Sequence, residues 1–335
     1  MSSTDSPALP AFRELLRRTD APPGSAWGLF GEGDQLGTLN RVTPEVTRAA
    51  AGLVRDGRVI NLDYPVNAFV PSIAGTRPAT EHHIFSNNPN HRDDWLDSFY
   101  LQSTSQIDGL RHIRHPEHGF YGGVADERID VGTPELGMQL IAERGIATRG
   151  VLLDLPAYYA EEGRPYTGRE RFAITAADLA GAAARQAAEL RPGDALLVHT
   201  GWSAAYLGED DAGRTAMRTA GSPGLFQSET TLEFLWDHGV SILASDNAGV
   251  EMFPVNPDSG WVYPDEPKPG RGPTHNGMMH RPLLALLGMP LGECWKLDEL
   301  VAACAADGRY EFLLTAKPLN LIGGVGSPPN AMAIR

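Results

Sequence analysis

Short apolar runs of strand length recur through the second half of this chain, each bounded by turn-forming residues. VLLDL (151–155), ALLVH (195–199), VSILA (240–244) and YEFLLT (310–315) read as buried strands. Between them the pattern changes to helical spacing. TAAD (175–178) opens an alanine-rich helix with a start like a capping box, and RPGD (191–194) stops it. Residues 228–238 repeat the helical pattern before Gly239, and residues 297–306 do so before Asp307-Gly308. Residues 58–64 and 315–321 instead alternate polar with apolar positions, as antiparallel strands do. The elements together predict a mixed α/β architecture in one domain spanning 1–335. Residues 1–20 read as a flexible N-terminal extension, and the Pro/Gly-rich run 254–273 as a long loop.

Composition narrows the class. With 335 residues and 42% hydrophobic content, the chain is long enough to bury a large core. No run approaches the roughly 18 apolar residues of a membrane span, and the N-terminus lacks the basic-then-apolar order of a secretory signal, so a cytoplasmic protein without a membrane partner is expected. The formal charge of -14, with 42 acids against 28 bases and no basic stripe, argues against nucleic acid as a partner; a small-molecule substrate is the partner expected. The two cysteines, Cys294 and Cys304, are too few for a disulfide framework and read as buried free thiols. GxSxG, GxxxxGK[ST], HExxH and a true GxGxxG are all missing, which sets aside the usual serine-hydrolase, P-loop, zincin and dinucleotide readings.

The chemistry concentrates in QSTSQIDGLRH (102–112). If residues 102–108 are extended, Gln102, Gln106 and Asp108 share one face. Gly109 then permits a sharp turn that brings His112 back over the same point. Such an arrangement resembles a metal cradle with a titratable group beside it, although a polar strand edge with a surface histidine has the same spacing.

The stretch also resembles the HxGTHxDxPxH motif of the cyclase-like metal-dependent hydrolases, the family of bacterial kynurenine formamidase and isatin hydrolase. Gln102 and Gln106 fall on its first two histidines, Asp108 on its aspartate and His112 on its last histidine. The resemblance extends through Trp27-Gly28, LNRVTP (39–44), FYGG (120–123), GVLLD (150–154), RPGDALLVHTGW (191–202), SDNAGVE (245–251) and HRPLL (280–284) to Gly292-Glu293. It implies a barrel-like β fold flanked by helices, assembled as a homodimer or homotetramer, that hydrolyses a small cyclic or aromatic amide or lactone. By the same resemblance Asp108, His280 and Glu293 hold one divalent ion, manganese or zinc, while His112 moves the proton.

The two glutamines leave the ion in question. An amide oxygen is a hard, neutral donor that favours manganese, magnesium or calcium over zinc, so Gln106 can join the ligand set with a changed metal. Without an ion, Gln102 and Gln106 become hydrogen-bond donors, and Asp108 with His112 an acid/base pair for a cyclase, dehydratase or isomerase. A non-catalytic binding protein is the third reading. Phe120 and Tyr121, with Trp95, Phe99 and Tyr100 nearby, are candidates for an aromatic pocket, and His275 for its wall. His115 and His118 read as a polar loop, with a metal-ligand role as the alternative, and His199 as a core hydrogen-bonding group. His82, His83, His91 and His238 read as solvent-facing, and Glu251 as a spare carboxylate near the site.

Overall fold

The computed structural model describes residues 9–73, 75–267 and 275–335. In chain order its strands are β1 (Val59–Asn61), β2 (Glu81–Phe85), β3 (Asp93–Asp97), β4 (Gln106–Asp108), β5 (Ile146–Asp154), β6 (Phe172–Ile174) and β7 (Ala195–His199). There follow β8 (Pro223–Leu225), β9 (Ile242–Ser245), β10 (Leu291–Glu293), β11 (Glu311–Ala316), β12 (Gly326–Ser327) and β13 (Ala331–Ile334). Nine of them form one mixed sheet in the order β1-β13-β11-β5-β7-β9-β10-β4-β12, curled into a half-barrel. The mixed α/β, barrel-like class expected from the sequence is therefore the one observed.

Burial follows strand position. The central parallel strands β5, β7 and β9 send alternate residues into two apolar clusters, and every residue of β7 and β9 is buried. Toward the edge, antiparallel β11 alternates between buried and half-buried residues, the pattern of a strand with one packed face. The helices start where the capping signals place them. Thr175 and Asp178 form a reciprocal capping box, and Ser228 accepts the Thr231 N–H ahead of the helix Glu229–Asp237.

Some sequence expectations change. The predicted strand 315–321 ends at Ala316, because Lys317-Pro318 turns the chain toward Ser327, and β11 pairs with β5 on one side and on the other with β13, a strand the apolar pattern did not reveal. Within 102–108 only Gln106–Asp108 is strand; Gln102 lies in a turn. Residues 9–20 are anchored: Phe12 and Leu15 are buried, and the Phe12 N–H donates to Asp237 at 2.7 Å, so the extension does not hang free over this part. Residues 1–8, and 268–273 of the Pro/Gly-rich loop, lie outside the described residues. No helix among the described residues is long and apolar enough to cross a membrane.

Candidate active site

Short strand pairing at one end of the sheet assembles the site. Antiparallel β4 and β10 place Glu293 directly opposite Gln106, with Asp108 opposite Leu291. Gln106 and Asp108 are two apart and share a face, so both project with Glu293 into one recess. His280 enters from the start of the helical segment Arg281–Leu286. Asp108, His280 and Glu293 are all buried, and each offers a ligand atom within 4.8 Å of the others'.

The hydrogen bonds orient this trio. Glu251 is fully buried and accepts the Met279 N–H at 2.7 Å and the His280 N–H at 2.8 Å, while its Oε1 also lies 2.5 Å from His280 Nδ1. With Nδ1–H committed to Glu251, His280 turns Nε2 toward Glu293 Oε1 at 2.9 Å and Asp108 Oδ2 at 4.0 Å. Burial alone would depress the imidazolium, but the bonds to Glu251 and Glu293 outweigh it and raise the His280 pKa to about 10. Burial, reinforced by Glu293, pushes the Asp108 carboxyl above its usual range against the pull of His112 and His280. The glutamines complete the ring. Gln102 donates its amide N–H to Asp108 Oδ1, and Gln106 donates to Glu293 Oε2 at 2.5 Å.

A cation fits this donor set. Asp108 Oδ2 is buried with no hydrogen-bond partner, and three buried carboxylates converge on His280. An Nε2 lone pair facing a carboxylate 2.9 Å away needs a positive charge between or upon them, which a proton or a metal ion supplies.

Above the trio lies a cavity of about 330 Å³ that reaches Asp108, Gln102, Gln106, His112, His275, His280 and Glu293. His112 stands on its wall with Nε2 3.7 Å from Asp108 Oδ2, and its ring meets that of His275 edge-on at 5.9 Å. Ile73, Ala248, Phe253 and Met278 supply apolar lining, and Arg77 supplies a cationic side chain. Burial, then Glu293, Asp246 and Asp108, hold the Cys294 thiol well above its ordinary value, with Arg77 pulling the other way. His275 and Cys294, which line this cavity, have positive φ, as does Val250 next to the lining residue Gly249.

The structure thus brings together Gln102, Gln106, Asp108, His112, His275, His280 and Glu293. Gln102 arrives from a turn rather than by strand alternation. Phe120 and Tyr121 do not join them. Both are buried in the main core, where the Tyr121 hydroxyl donates to Asp34 at 2.9 Å, so the expected aromatic pocket is a packing layer. Trp95 sits on the exposed β2–β3 hairpin, stacked on His83. His115 is buried and pairs with Tyr263 at 2.9 Å, and His199 bonds Asp154 in the core at 3.0 Å. Sequence reasoning missed the orienting role of Glu251 and the wall formed by Ile73, Arg77, Phe253 and Met278. In the sequence Glu251 stands out only as a spare carboxylate; nothing in the local pattern marks the wall.

The profile of the Cyclase family matches residues 60–252, more than half of the chain. This chain belongs to the Cyclase family. A crystal structure described as a novel cyclase is 29% identical, with coverage of 93% of this chain and 99% of that one and a TM-score of 0.78. Isatin hydrolase A from Labrenzia aggregata, solved with benzyl benzoate, is 18% identical over 86% of this chain and 96% of its own, with a TM-score of 0.58. Isatin hydrolase A from Ralstonia solanacearum is 20% identical over 87% and 97%, with a TM-score of 0.56. These two show that the cyclase fold is shared. No curated protein has a sequence that matches this one significantly.

Proposed function

We propose that this cyclase-family chain is a metal-assisted hydrolase that opens an acyl C–N or C–O bond in a small, cyclic or aromatic amide or lactone. One observation carries the reading: Asp108, His280 and Glu293 converge in a buried recess, with Asp108 Oδ2 lacking a hydrogen-bond partner, at the floor of a cavity sized for a small ligand. The isatin hydrolases built on the same fold favour hydrolysis of this kind of bond.

Asp108, His280 and Glu293 would hold one divalent ion, which when bound supplies Lewis acidity and a more acidic water. The carboxylate-rich set favours a hard ion such as manganese over zinc. The chain's own contribution is positional and protonic. Glu251 fixes the His280 tautomer, Gln102 and Gln106 hold the two carboxylates, and the apolar wall excludes water from one side of the ligand. His112 lines the cavity next to Asp108 and is the group placed to take a proton from attacking water and return it to the leaving nitrogen or oxygen.

The test is metal content after loading with Mn²⁺ or Zn²⁺, paired with turnover on a panel of aryl amides and lactones. One ion per chain, lost in Asp108→Ala and Glu293→Ala, with chelator-sensitive turnover, is expected. Turnover that persists without an ion would refute this mechanism. It would assign the chemistry to Asp108 and His112, with both glutamines as hydrogen-bond donors.

A further inference from the structure

We propose that Arg77 reads a carboxylate on the ligand, so that the substrate is an anionic acyl compound whose charged end lies away from the bond being broken. The proposal deepens the hydrolase reading and takes from it the identity of the cavity as the reaction site.

Two observations carry it. Among the described lining residues of the cavity Arg77 is the sole arginine or lysine, and it faces a space whose floor holds Asp108 and Glu293. It also differs from the other arginines. Every described arginine except Arg17, Arg55 and Arg77 directs its guanidinium to a carboxylate, carbonyl or hydroxyl group. Arg17 and Arg55 are exposed and need no such partner, whereas Arg77 is half-buried. Its one hydrogen bond runs from its backbone N–H to Ser72 Oγ at 3.2 Å, which ties down the loop and leaves all five guanidinium protons unused.

The guanidinium of half-buried Arg77 has no acceptor among the described residues and its nitrogens stay accessible from the cavity, so in a protein of charge -14 it is the one arginine there open to an anion. The group that completes it is a planar anion matching its fork, and a carboxylate does so with two parallel hydrogen bonds. The carboxylate-lined floor selects the same way: a doubly charged phosphate at this range meets stronger repulsion than a single carboxylate. Ile73, Phe253 and Met278 line the same space and suit an apolar body between the two ends. The ligand is thereby oriented, with its anion at Arg77 and its acyl group at Asp108 and His112.

The experiment is fluorescence titration of the protein with 2-aminobenzoate and with its neutral counterpart 2-aminobenzamide, with manganese added or with chelator. Wild-type, Arg77→Gln and Arg77→Lys proteins are compared. The expected result is a preference of about tenfold or more for the anion in the wild type, under both metal conditions. Arg77→Gln abolishes the preference, leaving 2-aminobenzamide binding unchanged, and Arg77→Lys keeps part of it. A wild type without preference overturns the proposal. So does a preference that survives in Arg77→Gln but vanishes with chelator, since the ion would then be reading the anion. Competition by inorganic phosphate as strong as that by benzoate overturns the carboxylate assignment. Failure of the hydrolase reading shows separately, as a protein that holds no ion and yet keeps an Arg77-dependent anion preference.

Discussion

Glu251→Gln is the sharpest perturbation of the site because it preserves shape and removes only charge and one acceptor. Glu251 is completely buried and receives three bonds, from the Met279 N–H, the His280 N–H and His280 Nδ1. If the glutamine oxygen faces the two His280 donors, its NH₂ group confronts the Met279 N–H. A buried donor facing a donor costs about 1–3 kcal/mol, and turning charge-assisted bonds into neutral ones costs about 1 kcal/mol more. Flipping the amide only moves the clash to His280. The expected loss is therefore about 3 kcal/mol, a large share of the 5–15 kcal/mol typical of a folded domain. Urea unfolding reads it as a lower midpoint at unchanged slope. A second readout separates orientation from mere stability. An imidazole whose Nδ1–H loses its carboxylate partner ligates less well, so manganese affinity should fall by about 10- to 100-fold. Unfolding within about 0.5 kcal/mol of wild type would refute the bonding scheme, because so small a change is typical of surface substitutions. A stability loss without a change in affinity would make Glu251 a structural residue only.

Three further outcomes follow from single features. Burial holds His115 at a pKa of about 4, so the folded state binds fewer protons than the unfolded one and stability is lost as pH falls from about 6.5 toward 4; about 2 kcal/mol should go between pH 7 and 5, and His115→Gln should flatten that part of the denaturation profile. Asp108→Asn keeps an Oδ1 acceptor for Gln102 and removes a buried charge whose Oδ2 has no partner, so chelator-treated protein should be as stable as wild type or about 1 kcal/mol more so while ion binding disappears, as seen by denaturation and metal titration. Gly37 has φ +57°, and a Cβ there would lie 1.9 Å from Gly288 O; Gly37→Ala should therefore lower Tm by several degrees or prevent soluble folding, and an unchanged melting curve would contradict the close approach of these two segments.

Much of the sheet was legible because the central strands are buried on both faces, and continuous apolar runs such as ALLVH announce that directly. Strands β4, β10 and β12 were not, being only two or three residues long and held by register rather than by their own pattern. The site inherits this division. Asp108, His112, His280 and Glu293 could be placed by resemblance to a motif, and the β4–β10 register shows why they meet: Glu293 lies opposite Gln106. Aromatic density misled, because FYGG sits where Tyr121 packs under Gly288, and composition cannot tell a pocket wall from a core layer. Arg77 was invisible for the opposite reason. Its significance lies in the absence of a partner, and pairing across a fold has no signature in one sequence.

The two glutamines deserve a different description from vacant histidine positions. Each spends an amide N–H on one oxygen of a carboxylate, Gln102 on Asp108 Oδ1 and Gln106 on Glu293 Oε2. The other oxygens, Asp108 Oδ2 and Glu293 Oε1, are the ones turned toward His280 Nε2. An anchored oxygen fixes the carboxylate plane, so the amides do for these two acids what Glu251 does for His280: they set the direction in which the inner donor atom points. Histidine at either position would exchange an orienting proton for another lone pair and leave a buried carboxylate oxygen without its partner. On the proposed metal-assisted reading, an ion would meet a smaller donor set with each inner atom held from behind, rather than a larger one with ligands removed.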